Sequence, residues 1–384
     1  MNQRLGTYFV TSEGGETVRS FIPPPLPPNP HLRLEPFLRL LEQANQALGR
    51  LDGLSAFVSV PLFLYNYVRK EAVLSSQIEG TQSSLSDLLL FEGAESPGVP
   101  TEDVQEVSNY LRALDHGLER MKDLPLSLRL IREIHGKLLA KGRGSDKDPG
   151  EFRRSQNWIG GTRPGNAAFV PPPAHRVLEC MGQLELFLHE ERPDLPLLVK
   201  AAIAHVQFES IHPFLDGNGR VGRLLITLLL VSGGAIRRPI LYLSLYFKEN
   251  RDRYYELLNQ VRSTGDWEGW IEFFLIGVRD TATQAIAAAD RILALIEEDR
   301  RQISTIRTPP SVILVFQQVQ RNPILSVQQA SKGTGVSFPT ASRAFEALKE
   351  LGIVGEITGK ARGRLYTYTR YLDLLSEGTQ PLPK

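Results

Sequence analysis

The sequence is poor in cysteine and carries almost no net charge. Cys180 is the one cysteine among 384 residues, which excludes a disulfide within the chain and a zinc site built from several cysteines. Such low cysteine usage is typical of a reducing compartment, so we expect a cytoplasmic protein. The formal net charge is +1, so the overall charge indicates neither nucleic acid nor a membrane surface as a partner.

Long apolar runs are also absent. The N-terminal residues, MNQRLGTYFV, lack the apolar core of a signal peptide. The longest apolar run, LLITLLLVSGGAI (224–236), is interrupted by glycines before it reaches the ~20 residues that a membrane-spanning helix needs. We therefore interpret this run as a buried helix and expect no contact with a membrane.

The rest of the composition is that of an ordinary globular protein, and the length suggests two or three domains. Apolar residues recur at helical spacing through most of 34–305, which predicts a mainly α fold. Residues 1–33 end in a proline-rich stretch and are predicted to be an extended arm with no folded element. Residues 142–173 are rich in glycine and proline, which favours an irregular loop with one small β-hairpin at QNWIGG.

The C-terminal residues 311–384 have a different pattern. Three short helical segments are followed by two β-rich runs around a basic turn with Lys360, Arg362 and Arg364. This order predicts a winged helix-turn-helix domain that folds as a separate unit. Its nine basic and five acidic residues make only a weak electrostatic case for DNA, so both DNA and another protein remain as partners of this domain.

The segment HPFLDGNGRVGR, residues 212–223, combines features of an anion-binding loop. Gly217 and Gly219 permit backbone conformations in which successive N–H groups point outward at the start of a helix, where phosphate groups bind. Arg220 and Arg223 are three residues apart, so both project from the first turn of that helix. Two arginines at one anion site indicate a polyphosphate.

Two further residues of this segment bring chemistry to the site. Asp216 offers an oxygen ligand suited to Mg²⁺, which binds one or two carboxylates together with phosphate oxygens. His212 titrates near neutral pH and is suited to accept a proton from an attacking hydroxyl group. Together with the anion loop, these residues indicate phosphoryl or nucleotidyl transfer.

The segment resembles the Fic-family signature His-x-Phe-x-[Asp/Glu]-Gly-Asn-Gly-Arg-x-x-Arg at all eight fixed positions. The resemblance implies a Fic-type helical bundle as the catalytic core over 121–300, preceded by an N-terminal helical region over 34–120. It also implies transfer of AMP from ATP to a hydroxyl side chain of a protein substrate, with Mg²⁺ held by Asp216 and His212 as the base. GEFRRSQNWIGG is similar to the β-hairpin flap with which this family binds its target.

The resemblance implies that Phe214 anchors the loop in the core and that aromatic residues some forty positions further on lie near the adenosine. The ATP-binding residues that it implies are Glu79, Gln207, His212, Pro213, Phe214, Leu215, Asp216, Gly217, Asn218, Gly219, Arg220, Arg223, Tyr254 and Tyr255.

The segment SSQIEG, residues 75–80, places a carboxylate at the C-terminal end of a predicted helix, where the helix dipole disfavours it. Ser75 and Glu79 are four residues apart, on one face, and Gly80 is suited to end the helix. The segment resembles the inhibitory motif of the Fic family. This resemblance implies that Glu79 pairs with Arg223 and keeps ATP out of a productive position.

Three functions are compatible with the sequence. The first is a self-inhibited protein adenylyltransferase that also modifies itself. The second is an ATP-sensing, DNA-binding regulator, which the C-terminal domain favours but which would not need an intact His212. The third is an enzyme that removes AMP from proteins, with Glu79 positioning a water molecule. We expect a homodimer in each case.

Overall fold

The computed structural model describes residues 4–13, 16–57, 61–92, 101–305, 309–359 and 363–382, and it is mainly helical, as predicted. Its helices in chain order are α1 Leu38–Phe57, α2 Pro61–Ile78, α3 Leu85–Glu92, α4 Thr101–Arg120, α5 Leu128–Leu138, α6 Ala174–His189, α7 Leu197–Ile211, α8 Asn218–Ser232, α9 Ser244–Glu249, α10 Arg251–Thr264, α11 Trp267–Thr305, α12 Pro310–Arg321, α13 Val327–Thr334, α14 Phe338–Glu350 and α15 Thr369–Ser376. Within these described residues, no helix has the length and apolar character that a membrane crossing requires.

Helices α7 and α8 form the centre of the bundle. In α7, every residue from 198 to 211 except Lys200 is buried, and in α8 most residues are buried as well. A helix that is apolar on all sides must be surrounded by others; α4, α5, α6, α10 and the 39-residue α11 pack around this pair. The loop between α7 and α8, which carries the 212–217 part of the motif, is thereby held at the core.

The N-terminal residues contain a β-hairpin, so the prediction of an arm without folded elements was wrong for this stretch. Strands β1 Thr7–Glu13 and β2 Glu16–Ile22 pair antiparallel, with Thr7 opposite Ile22. Phe21 donates its N–H to the carbonyl of Val170 at 2.8 Å, and its ring lies 5.9 Å from that of Phe169. The hairpin therefore packs against the glycine-rich segment 142–173.

That segment is largely irregular, as expected, and its predicted hairpin is reduced to one pair of residues. Ile159 and Phe169 exchange two backbone hydrogen bonds, of 2.8 and 3.1 Å. Trp158 and Ile159 are exposed, at 39% and 36%. We call residues 155–172 the flap.

The C-terminal unit combines α12, α13 and α14 with a three-stranded antiparallel sheet. The strands are β3 Ile324–Ser326, β4 Gly355–Glu356 and β5 Leu365–Thr367, in the order β3-β5-β4. The assignment of this unit as a winged helix stays a prediction, and Lys360 and Arg362 of its basic turn lie outside the described residues. After β5, Tyr368 donates a hydrogen bond to the buried carboxylate of Asp299 in α11, so the unit is attached to the bundle.

Candidate functional site

The loop between α7 and α8 is held in an unusual backbone conformation. His212 ends α7 with φ 48°, in the left-handed region that residues other than glycine rarely adopt. Gly217 precedes α8 with φ 76°, which a glycine adopts without strain. Directly after Gly217, the side chain of Asn218 accepts a hydrogen bond from the Phe214 N–H and donates one to the Phe214 carbonyl, each 2.9 Å long. The asparagine of the Gly-Asn-Gly sequence thus closes the loop on itself.

Phe214 is fully buried, as an anchor of the loop should be. Its ring stacks on His135 of α5, with the ring centres 3.7 Å apart. His135 accepts the Gly150 N–H at Nδ1, at 2.8 Å, so Nε2 carries the hydrogen and donates to the Asp216 carbonyl at 3.1 Å. Burial lowers the pKa of His135 to about 4, so the neutral ring fixes the loop near neutral pH. The sequence alone did not identify this residue.

Arg153 is a second residue that the sequence did not identify. Its side chain is buried and donates to the carbonyls of His212 at 2.9 Å, Ser155 at 3.2 Å and Pro172. Burial lowers its pKa to about 10. Because Ser155 and Pro172 are the two ends of the flap, one guanidinium joins both flap ends to the strained backbone at His212.

The imidazole of His212 is neutral at physiological pH. Burial, reinforced by the positive charges of Arg262 and Arg153, lowers its pKa to about 3. Its Nδ1 atom is buried, with no hydrogen-bond partner among the residues that the structure describes. The expectation that His212 titrates near neutral pH was therefore wrong, because the ring is buried beside two arginines. A neutral imidazole is the form that accepts a proton, although a lowered pKa makes it a weaker base.

Glu79 and Arg223 form an ion pair in the site. Arg223 Nη2 lies 2.7 Å from Glu79 Oε1, and the arginine side chain is 2% exposed. The same guanidinium donates to Ser75 twice, from Nε to the hydroxyl at 2.8 Å and from Nη2 to the carbonyl at 2.9 Å. Burial opposes ionisation of Glu79, but the guanidinium of Arg223 outweighs it, so the pKa of Glu79 lies below its ordinary value.

The Glu79 carboxylate also lies against the first turn of α8. A Cβ atom added to Gly219 would be 2.2 Å from Glu79 Oε1 and 3.0 Å from Arg223 Nη1. Any side chain at position 219 would therefore displace the carboxylate. Glu79 follows the last residue of α2, and Gly80, with φ 100°, turns the chain away. A negatively charged group thus occupies the place where the sequence predicts that an anion binds.

Arg220 has a carboxylate partner that the sequence did not predict. Its Nη1 lies 3.0 Å from Glu106 Oε2 of α4, and both side chains are nearly fully buried, at 2% and 3% exposure. Burial raises the pKa of Glu106, although Arg220 opposes this shift. A second guanidinium nitrogen of Arg220 lies 3.7 Å from Asp216.

Asp216 is the one residue that the sequence predicts as a metal ligand. Its side chain is 28% exposed and accepts the Gly217 N–H at 2.6 Å. In the described part of the chain, no cluster of three or more His, Cys, Asp and Glu side chains is placed to hold a metal. A single accessible carboxylate suits Mg²⁺ that takes its remaining ligands from phosphate and water; it does not suit a metal held by protein alone.

The remaining predicted ATP-binding side chains lie in different places. Tyr254 is buried, and its hydroxyl hydrogen-bonds to His205 Nε2 at 2.8 Å. Tyr255 is 40% exposed, and its ring lies 5.1 Å from that of Tyr254. Gln207 donates to the Pro24 carbonyl at 2.8 Å and lines a cavity of about 550 Å³ beside the N-terminal strands. The structure therefore places Tyr255 at the surface beside Tyr254 and Gln207 against the N-terminal stretch.

Two buried carboxylates complete the surroundings of Arg223. Glu209 lies behind α8, 2.4 Å from where a Cβ of Gly222 would be, and burial raises its pKa to about 7. Glu71 accepts hydrogen bonds from the N–H and hydroxyl of Ser244, and burial raises its pKa to about 7 as well. Neither residue was predicted, because Glu71 pairs with a residue 173 positions away and Glu209 meets α8 only through the packing of α7 against it.

Known protein families match two stretches of the chain. The Fic/DOC family N-terminal profile matches residues 38–119, and the Fic/DOC family profile matches residues 125–230. The sequence is 37% identical over 149 residues to a Protein adenylyltransferase Fic of Aedes aegypti and 35% identical over 149 residues to one of Culex quinquefasciatus. Each alignment covers 38% of this chain and 27% of the relative, so the chain spans only about a quarter of these relatives.

Solved structures show the same fold. A Fic family protein from Desulfovibrio desulfuricans G20 matches 88% of this chain and 97% of its own, with a TM-score of 0.59 and 22% identity. A Fic domain containing signaling protein from Bacteroides thetaiotaomicron matches 65% of this chain and 97% of its own, with a TM-score of 0.52 and 21% identity. At these identities the likeness concerns the fold alone.

Proposed function

This chain belongs to the Fic/DOC family, and we propose that it is a self-inhibited protein adenylyltransferase that moves AMP from ATP to a hydroxyl side chain of a protein. The proposal draws on the relatives named protein adenylyltransferase and on the geometry of the 212–223 loop. The observation that carries it is the Glu79 carboxylate, seated on Arg223 and against Gly219. This contact supports both an anion site at the start of α8 and a means of blocking it.

The phosphates of ATP would bind the N–H groups at residues 217–219 and the guanidinium groups of Arg220 and Arg223. Phosphates are attracted there by the helix N-terminus and by two buried arginines, whose charge is strong where water is excluded. Both arginines are paired with carboxylates in this structure. Productive binding of ATP therefore requires Glu79 to leave Arg223.

In the reaction, the hydroxyl oxygen of the target attacks the α-phosphorus of ATP. The bond from that phosphorus to the pyrophosphate oxygen breaks, pyrophosphate leaves, and the imidazole of His212 accepts the hydroxyl proton. Asp216 would hold Mg²⁺, which supplies charge neutralisation on the phosphates. Arg153 and His135 keep the loop in place, so that the base does not need to reorganise during transfer.

The flap would bind the protein substrate. Its exposed Trp158 and Ile159 offer apolar contacts at a surface that also has a backbone edge. The link through Arg153 from both flap ends to His212 supports a role in which target binding and the base share one scaffold.

A second candidate function is the removal of AMP from a modified protein. The side chain of Glu79 is 30% exposed and its pKa lies below the ordinary value, which supports a role for an ionised carboxylate that orients a water molecule. In this alternative, Glu79 is needed for activity, whereas in adenylyl transfer it inhibits.

Isotope placement tests the proposed function. The purified full chain and its Glu79→Gly variant are incubated with Mg²⁺ and with ATP labelled in the α- or the γ-phosphate. Adenylyl transfer predicts protein-bound label from α-labelled ATP only, and more of it in Glu79→Gly. Label from γ-labelled ATP would instead indicate phosphoryl transfer, and pre-modified protein that loses AMP only when Glu79 is present would favour AMP removal.

A further inference from the structure

Residues 371–380, at the end of the C-terminal unit, lie along helix α2. Near the start of α2, Asn66 donates a hydrogen bond to the Tyr371 hydroxyl at 3.2 Å. At its last turn, Gln77 donates to the Thr379 carbonyl at 2.8 Å. All four of these residues are buried, so the C-terminal segment is part of the packing of the helix that precedes Glu79.

The bundle holds residues 377–380 from the opposite side. Lys248 of α9 donates to the carbonyls of Gly378, at 2.9 Å, and Gln380. Arg291 of α11 forms a two-pronged ion pair with Glu377, one contact of which is 2.8 Å long. A Cβ at Gly378 would lie 2.7 Å from a methyl carbon of Leu245, so the segment fits closely between α2, α9 and α11.

Gln77 connects this segment to the turn that carries Glu79. Its carbonyl accepts the Gly80 N–H at 3.0 Å, which helps to set the turn. Its side-chain nitrogen donates to two carbonyls, Thr379 at 2.8 Å and Ser83 at 2.9 Å, the latter beyond the turn. Both hydrogens of this amide are therefore used, one on the C-terminal segment and one on the exit of the turn.

We propose that residues 377–380 are a latch that holds the last turn of α2, and thereby keeps Glu79 on Arg223. The inference rests on the proposed function, since it concerns the regulation of that site. When the latch leaves, Gln77 loses its Thr379 partner and the C-terminal half of α2 loses one of its packing surfaces. The population in which Glu79 is away from Arg223 then rises, and ATP binds productively.

The latch gives the C-terminal unit a route to control the enzyme. By linkage, any partner that binds this unit more tightly when the latch is withdrawn shifts the latch equilibrium toward the withdrawn state by the ratio of its two affinities, and the rate of transfer rises with the withdrawn population. The space between α2, α9 and α11 is thus occupied by the latch, a segment of this chain. A partner of the C-terminal unit would act by withdrawing the latch from that space.

Charge reversal at the Arg291–Glu377 pair tests the latch, because both side chains are about half exposed and tolerate substitution. The variants are Arg291→Glu, Glu377→Arg, the double swap and Lys248→Met, each in the full chain. The control is Arg301→Glu, the same substitution on α11 at an exposed pair with Glu297. The rate of self-modification with α-labelled ATP and hydrogen exchange at residues 371–382 are measured for each, with Glu79 present and with Glu79→Gly.

With Glu79 present, Arg291→Glu and Lys248→Met should raise the rate about fivefold, the factor that the loss of a net contact of about 1 kcal/mol represents. The double swap should return to the parent rate. The control Arg301→Glu should have the same rate as the protein without that substitution, both with Glu79 and with Glu79→Gly. With Glu79→Gly, neither latch variant should change the rate, because the latch acts only through that carboxylate.

The outcomes separate the two claims. A rise in Glu79→Gly with no rise in the latch variants, although hydrogen exchange shows residues 371–382 released, overturns the latch and leaves the proposed function intact. A rise in the latch variants that persists in the Glu79→Gly background overturns it too. Failure of Glu79→Gly itself to raise the rate refutes self-inhibition and the latch with it.

Discussion

Removal of the Glu79 carboxylate should activate the enzyme without moving the arginine that it covers. Arg223 keeps two hydrogen bonds to Ser75 when Glu79 is lost, so its guanidinium stays at the start of α8. The contact that disappears is one charge-assisted hydrogen bond of 2.7 Å, for which about 1.5–3 kcal/mol is typical. The rate of adenylyl transfer should therefore rise roughly tenfold to a hundredfold in Glu79→Gly.

The assay is self-modification of the full chain with α-labelled ATP at saturating Mg²⁺. Glu79→Gln is the matched variant, because it keeps the length of the side chain and removes only its charge; it should show a smaller rise. Combining Glu79→Gly with Arg223→Ala should bring the rate back toward the parent value, since the gain depends on the freed guanidinium. An unchanged rate in Glu79→Gly, in a protein that unfolds at the parent urea concentration, would show that Glu79 does not inhibit transfer.

Three further predictions concern the polar side chains of Arg153, Glu71 and Asp216. Arg153→Gln should lower the free energy of unfolding by roughly 3 kcal/mol or more, since several carbonyls lose a charged donor, and it should slow transfer in the Glu79→Gly background more than Arg153→Lys does; equal rates in both would contradict the positioning role. Burial raises the pKa of Glu71 to about 7, so the folded state binds its proton more tightly, and the stability contributed by neutral Glu71 is lost as pH rises from about 4.5 to 7. Relative to Glu71→Gln, the free energy of unfolding of the parent in urea should fall by up to about 1.4 kcal/mol per pH unit in this window. A constant difference between the two proteins would show that Glu71 does not titrate there. Asp216→Asn should raise the Mg²⁺ concentration needed for half-maximal transfer by about tenfold, and an unchanged Mg²⁺ dependence would remove Asp216 as its ligand.

Local sequence patterns predicted the helical bundle and drew attention to the residues of the central loop. Helices α7 and α8 are buried on nearly all sides, and their apolar residues follow one another in short stretches of sequence. The close spacing of His212, Asp216 and Arg223 is likewise visible within one short segment. The Glu79–Arg223 contact spans 144 residues and was expected only through a family resemblance. Helical periodicity predicts which face of a helix is buried, but it does not predict which residue of another helix that face contacts.

The features that were missed depend on contacts between distant parts of the chain. The β1–β2 hairpin has several exposed apolar residues, such as Tyr8 and Val10, so its alternation of apolar and polar residues is weak; the Gly-Gly pair between the two β-rich runs was the available signal. Glu106 and Glu71 have no local motif, and within GEFRRSQNWIGG nothing in the sequence distinguishes Arg153 from its neighbour Arg154. Their roles appear only when the carbonyls and side chains around them are in place.

In the proposed function, the 212–223 loop transfers AMP with His212 as the base. Intact-mass measurement of the Glu79→Gly protein after incubation with ATP and Mg²⁺ tests it most directly, beside a Glu79→Gly protein that also carries His212→Ala. We expect an added adenylyl group on the first protein and a rate lower by about 10²- to 10⁴-fold on the second, with ATP bound equally by both in calorimetry. The same adenylyl gain at the same rate in the protein without His212 would contradict it.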